Sequence, residues 1–391
     1  MNKKAYIVLM AAAAIGAVSA KAADDQVGTG ETDGYVLVWQ DLFDADELNT
    51  DRWNIEVNGN GGGNSELQYY TLRTDNVSLG DDGEGNGCLI LTAKRESWMG
   101  KKFTSGRINT MGKITFKHGK IEAAIKFPKT ADGLWPAFWM MGNDYSTNGW
   151  PYCGETDIVE MGNADGISAG TQERYFNGAC HWGPSSSNTM SYAKHSTKSY
   201  SLQDGEFHLY TVVWDEDAVK MYLDWDVYTV QTPYYSMTIS DTTSTSSPGT
   251  YLHKENFILF NLAVGGSFTG IYSSDGITAL NDDNDNQASM YVNYVKIYQK
   301  GTDDESSSFA DPGDDIASAR LITTDTPVRV TSSGVSADGE IDVDVYAISG
   351  VPVLTARSES NVSFSGLCSG IYIVAATDAD GNRITKKIII N

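Results

Sequence analysis

No long stretch of this chain repeats its apolar residues at helical spacing. They come in short alternating runs closed by Gly, Asn or Asp, and that pattern belongs to strands and turns. Such runs are CLILTAKRE at 88–96, GKITFKHGKIEAAIKF at 112–127, FHLYTVVWDEDAVKMYLDW at 207–225, FILFNLAVGG at 257–266 and MYVNYVKIYQK at 290–300. Within 207–225, two alternating runs flank Asp215-Glu216-Asp217, as in a hairpin. Many short strands separated by turns predict an all-β antiparallel sandwich or barrel.

The 391 residues, 41% of them hydrophobic, suffice for a large core and leave room for a second domain. Residues 1–20 carry Lys3 and Lys4, an apolar run too short to span a bilayer, and small residues up to Ala20, the pattern of a cleaved secretory signal. A polar linker at 21–34 leads into a β domain at 35–300. The acidic, Ser-rich stretch 301–315 reads as a second linker, and 316–391 as a smaller β domain. A formal charge of −23 repels phosphate, so nucleic acid and anionic membranes are not expected partners. Four cysteines, Cys88, Cys153, Cys180 and Cys368, are too few for a disulfide framework and too scattered for a metal knuckle. Of the possible pairs, Cys153–Cys180 is the one to test, although strand parity sends the two side chains to opposite faces.

The chemistry concentrates in GETDIVEMGN, 154–163, where Glu155, Asp157 and Glu160 fall within six residues. In a regular strand Glu155 and Asp157 share a face and Glu160 points the other way. One extra residue around Ile158-Val159, a β-bulge, would return Glu160 to the face of the other two. Two carboxylates on one face suit glycoside hydrolysis with retention, which needs a nucleophile and a general acid about 5–5.5 Å apart. Their Cα atoms would lie on the order of 13 Å apart, a gap two glutamates leaning together can close. Asp157 between them would raise the proton affinity of a neighbour. Taken alone, the cluster also suits a calcium site or an acidic surface strand. Trp135, Trp139 and Trp150 lie just upstream, and indole faces pack on sugar C–H faces. The Gly-rich, polar and aromatic loop VNGNGGGNSELQYYT at 57–71 has the character of a ligand loop.

The runs GRINTMGKITFKHGKIEAAIKFP, GLWPAFWMMG, WPYCGETDIVE, CHWG, FHLYTVVWDEDAVKMYLD, FILFNLAVGG and MYVNYVKIYQ follow one another in the order seen in glycoside hydrolase family 16. The stretch from about 35 to 300 resembles that family, and within it the laminarinase-like endo-β-1,3-glucanases. The resemblance implies a jelly-roll sandwich of two antiparallel sheets with a cleft across the concave one, and a retaining mechanism. It makes Glu155 the nucleophile, Glu160 the acid/base, Asp157 the assisting carboxylate and His181 the histidine of the neighbouring strand. It also offers Asn64 and Arg107 as sugar ligands, Asn64 on the non-reducing side, and Trp135, Trp139 and Trp150 as subsite indoles; Glu66 and Tyr69 read as structural. The bulged spacing separates β-1,3-glucanase-like and marine galactanase-like members from the unbulged lichenases.

The resemblance implies a β-glucan polysaccharide as partner and no cofactor; the chain is expected to be a monomer with no membrane-spanning segment. Many members hold a structural calcium, but the runs that supply its acidic ligands read Asp41-Leu42-Phe43 and Asn293-Tyr294-Val295 here. Two anionic ligands are gone, and the case for calcium is weak. Mixed-linkage β-1,3-1,4-glucan or a marine galactan are the alternative substrates. A non-catalytic glycan-binding protein is the alternative of another class, opposed by the presence of both glutamates. VYAISGVPVL and LCSGIYIVAATDADGNRITKKIII resemble the C-terminal sorting domains of the type IX export system, so the expected location is secreted or at the cell surface.

Overall fold

A computed structural model describes residues 34–82, 87–225, 232–300, 307–310, 329–331, 334–347, 352–367, 370–378 and 383–390. The expected signal segment and all of the first linker but Gly34 lie outside the described residues. Among the described residues, two large sheets stack face to face, one of ten strands and one of nine. Their pairings are antiparallel except that of Gln68–Tyr70 with Lys101–Ser105. The expected hairpin is present, His208–Trp214 returning as Ala218–Leu223. Period-two alternation drives the stacking: along Gly119–Lys126, the side chains of Ile121, Ala123 and Ile125 enter the core between the sheets.

Seven strands of the nine-stranded sheet, all but the first of them flooring a cleft, are labelled here in chain order: β1 (Asn54–Ile55), β2 (Arg107–Asn109), β3 (Leu134–Gly142), β4 (Glu155–Met161), β5 (Tyr175–Ser185), β6 (Asn188–Thr197) and β7 (Asn256–Val264). Across the sheet they run β6-β5-β4-β3-β7-β2-β1. The cleft strands that come from distant parts of the chain, β2, β3 and β7, therefore lie beside one another. Ser308–Ala310, inside the expected second linker, forms a strand of the same sheet against Thr115–Lys117, with Phe309 packed on the core.

Cys88, Cys153 and Cys180 are buried free thiols. Parity explains it: Cys180 joins the core between the sheets, while Cys153 packs with Trp139 and Met141 on the cleft side. Burial pushes both thiols up to about 12, leaving them protonated. Cys368 lies outside the described residues. The C-terminal segment forms a five-stranded sheet whose core includes Val343, Val345, Phe364 and Val374.

Candidate active site

The bulge sits where parity requires it. Between β4 and β5, Asp157 faces Ala179 and Glu160 faces Asn177, with the register breaking in between. Against β3, Val159 faces Phe138 and Asp157 faces Trp139, so Ile158 is the extra residue. Ile158 and Val159 both enter the core, and the carboxylates on either side stay in the cleft. Burying the two aliphatic side chains contributes about 1.5–3 kcal/mol each. The Tyr234 hydroxyl, itself buried, donates to the Ile158 carbonyl that the broken ladder leaves over.

Cross-strand register then sorts the cleft into rows. One row runs Arg107, Asn261, Ala137, Glu160, Asn177, His195 from β2 to β6. The next holds Trp139, Asp157 and Ala179, and a third Met141, Glu155 and His181. All nine residues singled out in the sequence line one cleft of about 880 Å³.

Glu160 is held by two donors: Trp135 Nε1–H to Oε1 at 2.9 Å and Asn177 Nδ2–H to Oε2 at 2.7 Å. His181 Nε2 stands 3.4 Å from Asp157 Oδ2. Burial pushes each of Glu155, Asp157 and Glu160 up to about 8. The charge of Asp157 adds to the rise at both glutamates, and His181 works against it. Three carboxyls so placed share protons near neutral pH, so an un-ionised acid and an ionised carboxylate coexist on one face.

Trp135 stacks on Phe268, ring centroids 4.7 Å apart, with its N–H turned to Glu160. Trp139 gives its N–H to Asn261 at 2.7 Å and takes the Arg107 guanidinium on its face at 4.8 Å. Arg107 is fixed by Glu56, Nε to Oε1 at 2.8 Å. Trp150 is exposed on the opposite rim, its ring 6.4 Å from that of His181. Asn64 lies at the cleft lip, its carbonyl accepting the Ser267 N–H at 2.8 Å. The loop before it winds through Gly61, Gly62 and Gly63, all at positive φ. A Cβ at Gly62 would stand 2.2 Å from Glu66 Oε1, so glycine is required there. Glu66 accepts from Gln68 Nε2 at 2.5 Å and the Tyr70 hydroxyl at 3.2 Å, bonds that brace the loop, and also lines the cleft.

Sequence reasoning did not find Asn177, Asn261, Glu56 or His195. Asn177 was within reach, four residues before His181 and so on its face. The other three come from segments whose place in the sheet follows only from the full strand order.

Glu155, Asp157 and His181 each bring one donor atom within 4.8 Å of the others, a spacing a cation could bridge. Calcium takes six to eight oxygens, which this mixed trio does not supply. At the implied structural calcium position the residues do not fit either. Asp41 accepts the Phe43 N–H at 2.9 Å and the Trp53 Nε1–H at 2.7 Å, and Asn293 donates its amide to the Gly87 carbonyl at 3.0 Å. Asn293 presents an N–H donor there, where a hard cation needs an anionic oxygen.

Two stacked, mainly antiparallel sheets, with three carboxyls and three indoles lining one open cleft, define a jelly roll built around a binding cleft. Residues 64–247 match the family described as Glycosyl hydrolases family 16, and residues 327–391 that described as Secretion system C-terminal sorting domain. Glucan endo-1,3-beta-glucosidase of Cryptopygus antarcticus is 34% identical over 242 residues, 60% of this chain and 83% of that protein. Glucan endo-1,3-beta-glucosidase A1 of Niallia circulans is 32% identical over 281 residues, 68% of this chain and 38% of that protein. A solved family 16 structure from the Bacteroides ovatus mixed linkage glucan locus, in complex with G4G4G3G product, is 41% identical. It covers 67% of this chain and 100% of that one, with a TM-score of 0.59. The chain belongs to glycoside hydrolase family 16, and its last domain is a sorting domain of the type that directs export. It spans 38% and 34% of the length of the first two curated relatives it matches.

Proposed function

We propose that this chain is a secreted, retaining endo-β-glucanase that hydrolyses β-1,3-glucosidic bonds in laminarin-type polysaccharides. The observation that carries the reading is the placement of Glu155 and Glu160 on one cleft face, either side of Asp157, by the Ile158 bulge. Glu160, kept protonated by burial and by Asp157, protonates the glycosidic oxygen while Glu155 attacks the anomeric carbon. Water then enters, Glu160 takes its proton, and the glycosyl bond to Glu155 breaks. Asp157 orients the pair, with His181 Nε2 3.4 Å from its carboxylate. The indoles of Trp135, Trp139 and Trp150, with Asn64 and Arg107, bind the sugars, and no cofactor takes part.

The similarity to two glucan endo-1,3-beta-glucosidases supports the linkage. A second reading, cleavage of mixed-linkage β-1,3-1,4-glucan, is favoured by the 41% identity to the Bacteroides ovatus structure. Chromatography of products from laminarin, curdlan, lichenan, barley glucan and agarose, with and without EDTA, tests both. The proposal expects oligosaccharides from the first two, slower release from the mixed-linkage glucans, and no effect of chelation. Faster release from lichenan and barley glucan would establish the second reading, and products from agarose alone would overturn both.

A further inference from the structure

We propose that His195, backed by Tyr175, forms a sugar-binding subsite on the leaving-group side of the cleft, for the β-glucosyl unit beyond the scissile bond. The inference rests on the reading above. His195 stands in the same cross-strand row as Glu160, with Asn177 between them. Two strand spacings put it about 10 Å from the acid, too far to touch the reacting atoms and far enough to hold the next sugar. Arg107 ends the same row on the other side, near Glu66 and Tyr70 of the 57–71 loop, whose Asn64 the resemblance gives to the non-reducing sugars. The β5–β6 side is left for the departing chain.

The histidine has the form of a platform. One face of its ring is stacked on Tyr175, centroids 5.3 Å apart and planes 21° from parallel, while the residue is exposed and lines the cleft. Tyr175 is braced from behind by the Ala164–Ser168 turn: a Cβ on Gly166 would come within 3.0 Å of the tyrosine. Ala179 and Ala193, facing each other in the adjoining row, keep the floor low between the acid and the imidazole. A flat ring fixed on one face and open on the other suits the C–H face of a pyranose.

The test compares two substrates of one enzyme: laminarihexaose, which reaches past the scissile bond, and a nitrophenyl β-laminaritrioside, which places no sugar there. His195→Ala is expected to lower the ratio of hexaose cleavage to nitrophenol release, each as kcat/KM, about tenfold, the size of one aromatic contact. His195→Phe, which keeps a ring, is expected to restore most of it. An unchanged ratio for His195→Ala would overturn the subsite while leaving the proposed function standing. A wild-type enzyme that cleaves neither substrate would overturn the proposed function, and this inference with it.

Discussion

Three carboxyls crowded within one strand, Asp157 and Glu160 buried and Glu155 half-buried, cost stability, and the cost has a sign. Burial and mutual repulsion raise Glu160 from 4.5 to about 8 in the folded chain. Between those values the native state holds a proton that the unfolded chain releases, so stability is fullest below the unfolded value and falls as pH rises to about 8. Glu160→Gln removes that ionisation. It is expected to raise Tm by about 2–4 °C at pH 8 and by less at pH 5, while abolishing turnover; equal shifts at both pH values in thermal melts would contradict the assignment. The carboxylates themselves were legible in the sequence because parity is local: spacings of two and three fix which way each side chain points. Their holders were not equally so. Trp135 was singled out for its ring, and its N–H bond to Glu160 depends on the register of β3 against β4. Glu56, which fixes Arg107, lies fifty-one residues before it, and no local rule connects them.

At the scale of elements, the bulge links core to chemistry. Its extra residue buries Ile158 beside Val159, and the carbonyl it frees is taken by the Tyr234 hydroxyl. Gly178 lies between the two β5 residues that flank the break; a Cβ there would stand 2.5 Å from Met221 Sδ and 3.3 Å from the Tyr234 ring. The bulge is thus packed from the opposite sheet as well as broken in its own. Tyr234→Phe leaves a buried carbonyl without its donor, at about 1–3 kcal/mol. We expect kcat to fall several-fold with KM little changed, because Glu160 loses its aim while the sugar contacts persist; an unchanged kcat would mean the ladder alone holds the bulge. The need for a bulge was readable in the spacing of the glutamates. Its clasp was not, since Tyr234 belongs to a distant segment with no pattern pointing at Ile158.

At the scale of the whole molecule, the strands were legible where alternation runs long, as in His208–Trp214 and Ala218–Leu223. The edge of the sandwich was less so, because an acidic, Ser-rich stretch conceals Ser308–Ala310 and the half-buried Phe309. A chain ending after Ala310 is expected to keep wild-type turnover, because the C-terminal sheet has its own core. One ending after Lys300 also loses the Gln299 amide bond to Ser308 and the Phe309 contact. Its Tm should drop by about 2–4 °C, as calorimetry of the two truncations would show. The central claim, that the bulge presents Glu155 as nucleophile and Glu160 as acid/base, is tested most directly by azide rescue. Folded Glu155→Ala and Glu160→Ala variants are given an activated aryl β-glucoside with and without azide. We expect both to lose turnover by about a thousandfold or more on laminarin. Azide should then restore turnover with a β-glycosyl azide from Glu160→Ala and an α-glycosyl azide from Glu155→Ala. Wild-type turnover in either folded variant, or the two products reversed, would contradict the account.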